Sequence, residues 1–115
     1  ILVGLNTQKF KSIDDITKSK EKNNEKYRAK TGNDWSFNTD GRATAYHEFG
    51  HCVVDVRGLP DNWESISSAW AEESKCDILK TPDEAFAEAW AAYHLGDERL
   101  PQNIAEIIQK IAEGK

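Results

Sequence analysis

The sequence predicts an α+β domain, a small sheet near the N-terminus packed against helices, and three observations lead there. The opening run ILVGL, Ile1 to Leu5, is apolar and closed by Asn6 and Thr7, which suits a short buried strand. DWSFNTD, Asp34 to Asp40, alternates Trp35 and Phe37 with polar neighbours, the period of a strand with one face covered, at a sheet edge. Apolar residues elsewhere recur at helical spacing.

The helices follow in order. Ser12 to Lys30 is mostly charged, with apolar points at Ile13, Ile16 and Tyr27, and Thr31-Gly32 ends it; it reads as a solvated surface helix. The next helix runs from about Gly41 to Val56, with Asp40 as the expected N-cap and Gly58 and Pro60 as the stop. At 100° per residue, Tyr46, Phe49, Cys52, Val53 and Val56 gather on one side as an apolar back. Thr44, His47, Glu48, His51 and Asp55 gather on the other. Asp61-Asn62-Trp63-Glu64 reads as a capping-box variant opening a helix with Trp63, Ile66 and Trp70 as its buried stripe. Thr81-Pro82-Asp83-Glu84 opens a further helix that ends near Gly96. The last, Pro101 to about Glu113, places Ile104, Ile107, Ile108 and Ile111 on one face.

With 115 residues and 13.0 kDa, the chain reads as a single domain over 1–115, able to bury about two-thirds of its unfolded surface. A net charge of −5 and a pI near 5.2 argue against nucleic acid or an anionic membrane as the main partner. The lysine-rich stretch Lys9 to Lys30 is diluted by acids and reads as a wet helix face. Cys52 and Cys76 make neither a disulfide framework nor a thiolate metal site. No signal peptide and no apolar run of membrane-spanning length is visible. The absence of Met is expected of a processed product or an excised domain, monomeric as a fragment.

The chemistry concentrates in AYHEFGHCVVD, Ala45 to Asp55. His47-Glu48-x-x-His51 is an HExxH arrangement, whose i, i+4 histidines project from one helical face and can reach one ion. Glu48, one residue round, can take a proton from a metal-activated water. The extended three-histidine pattern fails, because Val54 and Arg57 stand where its glycine and last histidine would be. Candidates for a third ligand are His94, Asp55, Glu84 and Glu88. Asp55, one turn beyond His51, suits a supporting hydrogen bond better than direct ligation. Glu84 and Glu88 share a face of a helix that is otherwise apolar nearly all round and has no Lys or Arg from Pro82 to Leu95. Such a helix is usually buried, and buried carboxylates need a partner or an ion.

These two blocks, HEFGHCVVD and EAFAEAWAAYHL, resemble the C-terminal catalytic domain of anthrax lethal factor and its relatives. That gluzincin-like branch of the zinc metallopeptidases includes the clostridial Pro-Pro endopeptidases and compact forms attached to phage head-morphogenesis and mobile-element proteins. The resemblance covers about Ala45 to Leu95. It implies a zincin-like fold, zinc held by His47, His51 and Glu84, Glu48 as general base, and Glu88 as a carboxylate supporting the ligands. It further implies WSFN as an edge strand where an extended peptide adds itself, with Trp35 and Phe37 touching substrate. A peptide or protein substrate and a cytoplasmic or virion-associated setting within a larger phage or mobile-element protein are the corresponding expectations. One departure stands out: relatives carry an oxyanion-stabilising tyrosine shortly before the glutamate ligand, and SKCDILKTPD contains none. Tyr46, Tyr93 and His94 are the substitutes on offer.

Overall fold

The computed structural model describes residues 12–114. The expected strand Ile1 to Leu5 lies outside the described residues. Within them the chain forms helices α1 (Ile13–Thr31), α2 (Ala43–Arg57), α3 (Trp63–Ser74), α4 (Pro82–Leu95) and α5 (Gln102–Ala112), with a 3-10 turn at Asp77–Lys80 before α4. The α+β expectation, and the zincin-like sheet implied with it, are overturned. No sheet forms among the described residues, and the only β pairing is an isolated parallel bridge between Asp34 and Cys76.

The failure of the DWSFNTD strand has a local cause. Its extended backbone is satisfied by side chains instead of by a partner strand. Asn24 of α1 accepts from the N–H groups of Trp35 and Ser36 through Oδ1 and donates to the Ser36 carbonyl through Nδ2. Glu88 accepts from the N–H groups of Phe37 and Asn38, and Arg99 donates to the Phe37 carbonyl. Asp34 and Trp35 pair with backbone at Lys75, Asp77 and Ile78. Every backbone N–H and carbonyl from the Asp34 N–H to the Asn38 N–H therefore has a partner, so the stretch is a clamped loop.

α4 is the centre of the fold. Its residues Ala85 to Ala92 are all buried, as the apolar sequence of this helix predicts. Phe86 meets Trp63 edge to face at 5.6 Å, and Ile104 and Ile108 of α5 close the same core. Full burial of a side chain such as Phe86 contributes about 1.5–3 kcal/mol. The helix ends at Gly96, whose φ of 69° is left-handed.

α2 packs antiparallel on α4, with a face other than the one expected. Its buried residues are Ala43 and Gly50, and Val53 and Val54 pack on the core. A Cβ on Gly50 would lie 2.9 Å from Ala87 Cα and 3.0 Å from Trp90 Cβ, so glycine here permits the close approach of the two helices. The supposed apolar back is largely solvent-facing: Phe49 is 58% and Val56 85% exposed, and Cys52 is also exposed. Hydrophobicity alone misplaced the closest contact, which Gly50 makes with Ala87 and Trp90, while Tyr46 and Phe49 lie to one side of it, stacked on His94 and Trp90.

Two caps also differ from expectation. Arg42, not Asp40, occupies the N-cap of α2 without a side-chain cap; Asp40 instead accepts from the Arg42 N–H and guanidinium, which hold its carboxyl down to about 2. Asn62 precedes α3 in the left-handed region, φ 60°, and its side chain does not cap. Ser12 does cap α1, accepting from the Asp15 N–H at 3.1 Å.

Candidate metal centre

The α2–α4 contact line separates two flanks. On one, α2 supplies His47 and His51, one turn apart, and α4 supplies Glu84 and Glu88, also one turn apart. Antiparallel packing sets His51 opposite Glu84 and His47 opposite Glu88.

The distances converge on one point. His51 Nε2 lies 2.7 Å from a Glu84 oxygen, His47 Nε2 lies 3.4 Å from the other, and the two Nε2 atoms are 3.1 Å apart. Ligand atoms arranged tetrahedrally at about 2.1 Å from one ion stand roughly 3.4 Å from each other. His47, His51 and Glu84 can therefore hold a metal ion, and no other such group of three occurs among the described residues.

Glu88 explains why His47 presents the correct nitrogen. Its Oε2 accepts from His47 Nδ1 at 2.7 Å, while Oε1 accepts from the N–H groups of Phe37 and Asn38 at 3.1 Å each. With the proton on Nδ1, the lone pair of Nε2 points at the shared site. Burial opposes the charge on Glu88, but the His47 hydrogen bond and the Asn38 N–H and side chain outweigh it and hold this carboxyl below its ordinary range. The same hydrogen bond raises His47. Two imidazole nitrogens and a carboxylate crowded this closely need a cation or a shared proton between them, which is the fit expected of a metal site.

The site opens toward solvent on one side. Side-chain exposure rises from 5% at Glu88 and 16% at His47 to 30% at His51 and 34% at Glu84, so an ion can enter without the core opening. Glu48, exposed, lines a cleft of about 210 Å³ beside His47. A larger cavity of about 600 Å³ lies across the 34–38 loop, between Arg28 and Arg99, and includes none of the metal-site residues.

The remaining expected residues fall elsewhere. Asp55 is exposed and makes no contact with either histidine. Phe37 is a core residue, 6% exposed, packed on Trp70 at 4.9 Å and covered by the Arg99 guanidinium at 4.4 Å; it cannot face a substrate. Trp35 is 47% exposed but stands edge to face with Tyr27. The edge-strand role of WSFN is corrected as well, since its backbone groups are already taken. Tyr46 stacks on His94 at 5.3 Å, and His94 Nδ1 donates to the Trp90 carbonyl. Tyr46 and His94 thus belong to the opposite flank, and Tyr93 packs edge to face on His94 with no contact to the ligand group. Two supporting parts were missed: Asn24, which clamps the loop, and the Phe37 and Asn38 amides, which hold Glu88. Main-chain donors carry no residue-type signal, and Asn24 sits unmarked among charged neighbours.

Compared with known protein families, with curated proteins and with solved structures, the chain gives no match. No helix among the described residues is long and apolar enough to cross a membrane.

Proposed function

We propose that this chain is a zinc-dependent endopeptidase whose metal ligands are His47, His51 and Glu84. The carrying observation is the convergence of one ligand atom from each of these residues within 4.8 Å of the others, with Glu88 on the far nitrogen of His47. Two imidazoles and one carboxylate are the donor set of a zinc site that keeps one position open. The resemblance of the two sequence blocks to the lethal factor branch of the zinc peptidases supports the same reading.

Zinc, when bound, supplies Lewis acidity toward a peptide carbonyl and toward water. Glu48 takes the proton of the attacking water and delivers it to the departing amine, a task its exposed position in the cleft allows. Glu88 keeps His47 in the ligating tautomer and stabilises positive charge on the ring as the site gains it. Equimolar zinc in purified protein, with cleavage of a diverse peptide library that Glu48→Gln abolishes while zinc is retained, is the expected result. Cleavage surviving Glu48→Gln would sink the assignment.

A second reading is a zinc-binding assembly or interaction module in a phage or mobile-element protein. It is favoured by two absences among the described residues: no tyrosine hydroxyl reaches the ligand group, and the 34–38 loop has no free backbone for a peptide strand. An oxyanion donor alone is worth about a hundredfold in rate or more. Stoichiometric zinc with no cleavage of the library would decide for this module.

A further inference from the structure

The cleft beside the ligand group contains one cation, and neither the proposed chemistry nor the fold accounts for it. Lys20 of α1, Ser36, Thr44, Glu48 and Ile78 line this space of about 210 Å³ next to His47. Lys20 is partly exposed, and its Nζ donates to Thr44 Oγ1 at 3.2 Å in a bond open to solvent. No carboxylate lies within ion-pair distance of it among the described residues. Asp40, the acid it influences from further off, is already held in a bidentate contact by Arg42. An ammonium held only by a neutral hydroxyl keeps its charge available to whatever enters the cleft.

We propose that Lys20 is a specificity-determining residue that binds an acidic side chain of the peptide substrate, one or two residues from the scissile bond; this rests on the peptidase reading above. Position supplies the argument. The ammonium is anchored on Thr44, which precedes Glu48 by four residues on α2, so the anchor is offset from the base by about 6 Å along the helix axis. That offset sets Lys20 to one side of the base, whereas a donor to the reacting carbonyl oxygen must stand at about 2.7–3.1 Å from it. An extended peptide advances about 3.3 Å per residue, which brings a neighbouring side chain, not the scissile group, to Lys20. The chain as a whole carries −5 and repels acidic peptides at long range. Screening over roughly 8 Å at physiological salt leaves Lys20 to act locally, on a bound segment.

The test uses the zinc-loaded protein with two hexapeptides that contain a cleavage site found by library profiling and differ only in Glu or Gln near the scissile bond. The expected result is a kcat/KM ratio favouring Glu by about 3–10-fold, in line with a partly exposed ion pair. Lys20→Met brings that ratio close to one, Lys20→Arg retains it, and Lys20→Glu reverses it toward a Lys-containing peptide, all with zinc stoichiometry and far-UV circular dichroism as in the parent. An equal ratio in parent and Lys20→Met overturns the proposal. If the parent cleaves nothing, the peptidase reading fails separately, and fluorescence anisotropy of alanine-based hexapeptides with a central Glu or Gln on the zinc-loaded protein answers the remaining question. Tighter binding of the Glu peptide that Lys20→Met removes upholds the acidic subsite, and equal binding overturns it.

Discussion

On one flank of the α2–α4 contact, His47, His51 and Glu84 aim polar atoms at one another; on the other, Tyr46 stacks on His94 and Phe49 on Trp90. Both flanks hang on the same line of small residues, Gly50 against Ala87. The aromatic flank gains from area removed from water, a non-directional term that tolerates error. The polar flank gains only when every atom has its partner, since an unsatisfied buried acceptor or donor costs about 1–3 kcal/mol. One interface thus joins a forgiving half to an exacting one, and the His47, His51 and Glu84 group that could hold a metal ion sits on the exacting half.

Breaking the polar flank at its buried end has the largest expected effect. Glu88 accepts from three donors, whereas an amide has one acceptor oxygen and would turn its NH₂ toward N–H groups. Glu88→Gln should therefore cost about 3 kcal/mol of stability, read by urea denaturation, and weaken zinc binding 10–100-fold in a chelator competition. Gly50→Ala attacks both flanks at once. The added Cβ meets Ala87 backbone at 2.9 Å, so the helices must separate, at about 1–2 kcal/mol after the helix-propensity gain. Thermal melts should show lower stability, and zinc titration a weaker site.

Removing a ligand separates the flanks. Zinc should raise the melting temperature of the parent, with chelator reversing the rise, and Glu84→Ala should abolish that response while the metal-free fold persists. The response should also depend on pH. His47 is raised above its ordinary 6.5 by Glu88, so protons compete for its Nε2 and zinc affinity should fall as the pH is lowered below that raised value. In metal-free protein the two members of the pair contribute stability at opposite ends of the pH range. The His47 contribution is full below 6.5 and lost as pH rises through the raised value, and the Glu88 contribution, present above 4.5, is lost as pH falls through the lowered one. Stability of the metal-free protein against pH, measured by denaturant titration, checks the sign.

The smallest effect belongs to the aromatic flank. Phe49→Ala should cost under about 1 kcal/mol, because the ring is already 58% exposed and loses mainly its stack on Trp90; zinc affinity should not change. Equal damage to zinc binding from Phe49→Ala and Glu88→Gln would dissolve the distinction between the flanks.

How much of this was legible beforehand depended on range. The helix spans α1, α4 and α5 follow from periodicity and end signals, and Gly32, Gly58 and Gly96 stand where those signals place the stops. The shared face of His47 and His51, and that of Glu84 and Glu88, follow from i, i+4 spacing within one helix. The DWSFNTD stretch misled because alternation reports a half-buried extended backbone, whatever satisfies its hydrogen bonds. Here Asn24, Glu88 and Arg99 do so, from 11 to 62 residues away, and no local pattern encodes such partners. α2 misled for a related reason: its apolar side meets α4 only at the edge, leaving Phe49 and Val56 largely exposed, and Gly50 and Ala87, weak in any hydrophobicity count, make the closest contact.

By itself, then, the sequence determined the local events: where helices begin and end, which side chains share a face, and that a helix as apolar as Pro82 to Leu95 must be buried with its two glutamates in need of partners. Only the tertiary structure decided that α2 turns its histidines to α4, that Glu84 closes the ligand group while Glu88 sets the His47 tautomer, and that no sheet forms among the described residues. The physical reason is that backbone dihedrals and i, i+4 neighbours are settled within a turn of helix. The facing of one helix on another is settled by which surfaces fit closely and leave no buried polar atom without a partner.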